Sequence, residues 1–186
     1  MSILRILLAL AFVTGLSVGV SFAADAKDSK NKTMVCAFEN EDDIGTFDMG
    51  KTATAEIVKE HATEGKMCAK VTVPADGDTN FFYVMNEKFK AMFPSDWTEY
   101  KTLKIDVFSE SERPVKLEFR VSSDNFAKKY ESYPSIPVKK AYTITIDLKS
   151  VAKKINIADV ESFKFYTNGS VPFEYILYFD NLRMEK

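Results

Sequence analysis

Residues 103–122 read LKIDVFSESERPVKLEFRVS, and this stretch decides the fold class. Leu103, Ile105 and Val107 fall on one side of an extended chain, with Lys104, Asp106 and Phe108 on the other. After the turn ESERP, Val115, Leu117, Phe119 and Val121 alternate with Lys116, Glu118, Arg120 and Ser122. Side chains leave a strand with period two, so each run carries one apolar face and one largely charged face. A slip of one residue would bury the charges, which specifies the register strongly. Two such strands joined by a short proline-bearing turn predict an antiparallel pair resting one face on a core.

The same alternation extends in both directions. Thr33–Glu39, Ala53–Glu60, Met67–Val73, Thr79–Met85, Tyr142–Leu148 and Ser162–Thr167 each predict a strand, as does the closing stretch EYILYFDNLRMEK from Glu174. A helical turn is predicted in NEKFKAMFPSDW, ended by Pro94 because proline cannot continue a helix. KSVAKKINIADV predicts a turn or a short helical piece, and residues 124–140 read as a long polar-aromatic connection. Asn168-Gly169 suits a tight hairpin, but Val171 and Pro172 lengthen the link, so a corner between two sheets is equally open. About nine short strands without a long amphipathic helix predict an all-β antiparallel sandwich, its facing sheets about 10 Å apart.

The last strand breaks its own pattern. Tyr175, Leu177 and Phe179 share one parity, whereas Leu182 and Met184 have the other. An extra residue at Asp180-Asn181, a β-bulge, accounts for the slip; a strand buried on both faces with a charge at its edge is the alternative. A carboxylate held inside is costly unless it is paired or metal-bound.

Residues 1–23 carry one positive charge, an apolar run from Ile6 to Val13, and small residues Ser21 and Ala23 before Ala24, the pattern of a cleaved export signal. Export implies a secreted or periplasmic protein, with residues 24–32 as a polar arm and 33–186 as one domain. The near balance of charge, net −2, argues against a nucleic-acid partner. Cys36 and Cys68 are either a disulfide, as export permits, or two small buried apolar residues.

Catalytic patterns are missing. His61 is the one histidine, in a turn-like stretch, so no Ser-His-Asp, Cys-His or zinc arrangement can be composed around a second imidazole. Asp106 and Glu118 stand among Lys104, Lys116 and Arg120, which reads as a salt-bridged sheet face. No enzyme is expected.

Several stretches together resemble a known family: MVCAFENEDD, EGKMCAKVTVP, DWTEYKTLKIDVFSESERPVKLEFRVSSD, AYTITIDLKSVAKKINIADVESFKFYTNG and YILYFDNLRMEK, in that order. The chain resembles the galactose-binding-domain-like β-jelly-roll found in non-catalytic carbohydrate-binding modules. The resemblance implies glycan binding through aromatic stacking and polar contacts. It also implies a structural calcium ion on Asp180, with Glu39, Glu41 and main-chain oxygens near Lys66; a metal-free salt bridge from Asp180 to a lysine is the rival. Flat aromatic rings with a few directional polar groups suit a sugar. Tyr130 and Tyr133 in the long connection, with Tyr83, Tyr166, Arg120 and Glu118, are the candidates, while Trp97 reads as core. A polysaccharide is the expected partner, and an envelope protein bound by the same fold is the alternative.

Overall fold

The computed structural model describes residues 31–167 and 169–186. The expected export signal, most of the arm and Asn168 of the Asn-Gly turn lie outside the described residues. Lys32, assigned to the arm above, already belongs to the first strand.

The chain forms β1 (Lys32–Cys36), α1 (Glu41–Gly45), β2 (Thr54–Val58), β3 (Cys68–Val73), β4 (Asn80–Met85), α2 (Asn86–Met92), β5 (Thr102–Ser109), β6 (Val115–Lys116), β7 (Glu118–Ser123), β8 (Lys128–Ser132), β9 (Ser135–Ile136), β10 (Tyr142–Asp147), α3 (Leu148–Ala152), β11 (Val160–Tyr166) and β12 (Tyr175–Glu185). One sheet runs β10-β5-β12-β3-β2, with β1 also on β12; the other runs β4-β11-β7-β8; β6 and β9 make a separate pair. All the pairings are antiparallel. The expected two-sheet antiparallel sandwich is the fold, a β-jelly-roll.

The inward residues of the opening stretch are all buried, from Leu103, Ile105 and Val107 of β5 to Phe119 and Val121 of β7. Between the sheets, Phe82 of β4 stacks on Phe179 of β12 at 4.4 Å and on Phe47 at 4.2 Å. Phe82 is an extra residue. Tyr83 pairs with Lys164 but Phe81 pairs with the next residue, Phe165, and Phe82 has φ +52°. This bulge turns Phe81 and Phe82 both inward, and separates Tyr83 from the face it would otherwise share with Phe81.

β12 bulges where its apolar phase slips. Its pairing with β5 shifts between Asp180 and Arg183, and Asn181 has φ +52°. Beyond the bulge Leu182 and Met184 are fully buried, as Leu177 and Phe179 are before it.

The 124–140 connection is not a loop. It folds back as β8 on the outer edge of β7, followed by β9. An edge strand with solvent-facing lysines at Lys128 and Lys129 has weak alternation, which is why the sequence hides it. α1 was also unforeseen; Asn40 caps it by accepting from Asp43 N at 3.2 Å, and three acids fill its first turn. Trp97 is core, its Nε1 donating to Pro94 O at 2.7 Å.

Both cysteines are free and buried. Cys36 belongs to the apolar core, whereas Cys68 has the outward parity of β3, opposite to buried Ala69, Val71 and Val73, and donates to Glu60 O at 2.9 Å. Thiols pointing to opposite sides of a sheet do not bridge, so the structure holds the second of the two readings of these cysteines.

Candidate functional site

The outward face of the four-stranded sheet is built by register. Tyr83, Lys164, Arg120 and Glu131 lie opposite one another on β4, β11, β7 and β8, forming one transverse row. Asn80, Tyr166 and Glu118 make the next row, and Met85, Ser162, Ser122 and Lys129 the one on the other side. On β4, β7 and β11 these residues alternate with buried core residues, so the same pattern that builds the sandwich fixes the face.

Arg120 is the hub. Its guanidinium donates to Glu131 (Nε to Oε1, 2.7 Å) and to the Tyr166 hydroxyl, and lies 4.7 Å from the Tyr166 ring centre. Lys164 Nζ sits 4.9 Å from the same ring and donates to Asn80 Oδ1 at 3.1 Å. Burial pushes the Tyr166 hydroxyl well above the usual tyrosine range, reinforced by its contact with Glu118. Burial lowers the Lys164 ammonium, and the adjacent Arg120 charge lowers it further. Burial acts to raise Glu131, but its bonds to Arg120 and Lys129 outweigh this and hold its carboxyl below the usual range.

Two grooves flank the hub. One, of about 470 Å³, is lined by Asp48, Lys51, Asn80, Tyr83, Met85 and Lys164. The other, of about 540 Å³ and more apolar, runs past Leu117, Glu118, Tyr133, Thr167, Val171 and Phe173. Tyr133 is 65% exposed and offers a free ring.

Five of the residues singled out in the sequence therefore meet here: Tyr83, Glu118, Arg120, Tyr133 and Tyr166. Tyr130 does not. It pairs with Val121, shares its inward parity and packs half-buried against the core, because β8 is a strand and Tyr130 falls in its inward phase. Tyr166 is present but its ring is covered by Arg120 and Lys164, so it organises polar groups and leaves stacking to Tyr83 and Tyr133. Lys164 and Asn80 were missed. Lys164 could have been found from Tyr166, since both share the outward parity of β11.

The opposite face of the sandwich carries Asp180. Its carboxylate is 1% exposed and accepts from Thr63 N at 2.6 Å, Thr63 Oγ1 at 2.9 Å and Glu64 N at 2.9 Å, all on Oδ2, and from Asn181 N at 2.7 Å on Oδ1. Burial raises its pKa and these donors pull it back. Asp106, its partner across β5, accepts from Thr143 Oγ1, Asn181 Nδ2 and Arg183 Nη1. The bulged acid thus clasps the 59–66 loop to the sheet. Among the described residues no lysine pairs with it; Glu39 accepts from Lys66 N at 2.9 Å, and Glu41 lies exposed in α1. Among the described residues no group of three or more acids, cysteines or histidines gathers as metal ligands. Calcium takes 6–8 oxygens; the groups bonded to Asp180 here are N–H and O–H donors.

Asp106 and Glu118 face away from each other, on the outer surfaces of different sheets. Paired carboxylates that hydrolyse glycosides must flank one bond, and these two do not.

No family model matches the chain, and no curated protein matches it. Solved structures do match in fold. An exo-β-agarase is similar at 15% identity and TM-score 0.65 over 82% of this chain, which spans 24% of the agarase chain. A family 11 carbohydrate-binding module from Clostridium thermocellum, solved in complex with a β-1,3-1,4-mixed-linked tetrasaccharide, is similar at 14% identity and TM-score 0.57, covering 83% of this chain and 95% of the module. The agarase AgWH50C is similar at 10% identity and TM-score 0.59, with 84% of this chain and 24% of that chain covered.

Proposed function

We propose that this protein is an exported, non-catalytic carbohydrate-binding β-sandwich that holds a glycan on the outward face of its four-stranded sheet. The observation that carries this reading is the convergence of Tyr83, Tyr133, Arg120, Glu118 and Lys164 on that face, between two grooves. A sugar ring stacks on Tyr133 and Tyr83, and the hub between them supplies hydrogen bonds of both kinds. Arg120 and Lys164 donate; Glu118, Glu131 and Asn80 accept. The ion pairs and hydrogen bonds within the hub preorganise these groups before a ligand arrives, which lowers the ordering cost of binding. The separation of Asp106 from Glu118 supports binding without bond cleavage. The likeness in fold to a module solved with a bound tetrasaccharide adds support at the level of the fold.

Affinity electrophoresis against a panel of soluble polysaccharides tests the reading. At least one glycan should retard the protein, and Tyr133→Ala should abolish the retardation without lowering the melting temperature, since Tyr133 is largely exposed. A protein that no glycan retards, recovered instead with an envelope protein in a pull-down, would overturn it.

A further inference from the structure

The charges on this face do not cancel group by group. Glu131 serves three partners at once: Arg120, Lys129 at 3.3 Å and the Tyr166 hydroxyl at 3.2 Å. Glu118 lies in the next row, opposite Tyr166. In the groove beside β4, which Lys51 also lines, Asp78 accepts from Asn80 N at 3.1 Å and Lys51 N at 3.4 Å, and Asp48 accepts from Gly50 N at 2.8 Å, so both acids already serve donors other than Lys164. Lys164 is left. Among the described residues its ammonium has no carboxylate partner; it has the neutral Asn80 amide and the face of the Tyr166 ring, which Arg120 also covers. Lys164 and Arg120 are direct neighbours across β11 and β7, so two cations stand side by side and one of them is uncompensated.

A half-buried cation beside a second cation, opening into a groove of about 470 Å³, is stabilised by an incoming negative charge. Resting on the glycan-binding reading, we infer that the site selects acidic glycans, with Lys164 as the specificity residue that receives the anionic group of a sugar seated against Tyr83. The group is a carboxylate, as in a uronic acid, or a sulfate ester. Both present a planar or tetrahedral set of oxygens to an ammonium, and both answer the same unmet charge. Asn80 Oδ1 is the placeholder: it occupies one of the three ammonium protons and leaves two to be given to the ligand.

The test is affinity electrophoresis in gels containing polygalacturonate, a sulfated galactan or a neutral β-glucan, at low salt and after about a tenfold rise in salt, which shortens the screening length about threefold. Retardation is expected in an acidic gel, falling with salt, and the arm that responds tells carboxylate from sulfate. Lys164→Gln should weaken retardation in that gel about tenfold or more, the worth of one charge-assisted hydrogen bond, while Lys164→Arg should retain most of it. Circular dichroism melting of each variant separates loss of the charge from loss of the fold. Retardation in the neutral gel alone, or equal retardation in all gels with no salt response, would overturn acid selection and leave glycan binding standing. Unchanged binding by a folded Lys164→Gln would overturn the role of Lys164. Retardation in no gel would bring down both readings together.

Discussion

Tyr130 and Tyr133 stand three residues apart and have opposite roles. Tyr130 points into the sandwich from β8 beside Val121, whereas Tyr133, just past the end of β8, is 65% exposed on the rim of the apolar groove. Their sequence context, KKYESYPSI, gives no period that separates them, since one residue before Pro134 lies inside a strand and the other outside. Truncating Tyr130 to Ala should cost about 2 kcal/mol, below the full cost of a buried aromatic because the ring is half-buried, and should leave glycan retardation intact. A stable Tyr130→Ala protein that had lost binding would reverse the assignment. Glu131, between them, gives a pH signature. Its folded pKa lies below the ordinary value, so its contribution is present above about pH 4 and is lost as pH falls through the folded value. Glu131→Gln should therefore melt below wild type at pH 7, by at most about 1 kcal/mol for a solvent-screened pair, and the gap should close in acid. A gap that persists at pH 2 would show that Glu131 acts by packing and not by charge.

At the scale of elements, the bulge in β12 was legible and its purpose was not. The change of apolar parity between Phe179 and Leu182 marks the extra residue in the sequence alone. What Asp180 binds depends on the 59–66 loop, whose two donors lie 117 and 116 residues away and follow no local pattern. The loop is pinned at three points. His61 stacks on Phe108 at 3.7 Å and meets Tyr178 at 4.6 Å; the Thr63 hydroxyl sits between Asp106 (3.0 Å) and Asp180 (2.9 Å); Gly65, at φ +69°, brings its backbone against Glu39. A Cβ at Gly65 would stand 1.7 Å from Glu39 Oε1, the free end of a side chain that can swing aside, so it is the positive φ that calls for glycine there. Thr63→Val keeps the shape and deletes the hydroxyl whose single proton lies between two buried acids. It should cost about 1–2 kcal/mol and speed amide exchange at Thr63 and Glu64 before the rest of the sheet opens. Exchange that rose uniformly over all strands would mean the loop is no separate clasp. Because the clasp is made of peptide and hydroxyl donors, the wild-type melting midpoint should be the same with and without a chelator; a fall on chelation that calcium restores would show that the oxygens regroup around an ion.

For the whole molecule, the class of fold was written in period-two alternation, and the order of the strands was not. Leu103–Val107 and Val115–Val121 announce two strands on either side of one turn, yet the structure places β5 and β7 in different sheets, because the intervening β6 crosses to pair with β9. Alternation says which side chains are buried and is silent on which neighbour covers them. The topology also fixes when the molecule can fold. β12 is the last strand in the chain and sits at the centre of its sheet, bonded along one edge to β5 and along the other to β3 and then β1, with Lys186 N donating to Asn31 O at 2.9 Å. Its residues Leu177, Phe179, Leu182 and Met184 are all fully buried, and Phe179 stacks on Phe82 of the other sheet. Until β12 is in place, β3 and β5 have no common partner and the inner face of the large sheet is open. Folding therefore waits on contacts between the two ends of the sequence, the kind whose loop-closure cost slows all-β domains to milliseconds or seconds. A chain ending at Glu174 should show no cooperative melt, and adding a peptide of residues 175–186 should restore one, with the amide protection of β3 and β5 returning together. A truncated chain that melted cooperatively by itself would show that the large sheet closes without its central strand, and the argument from β12 outward would fail.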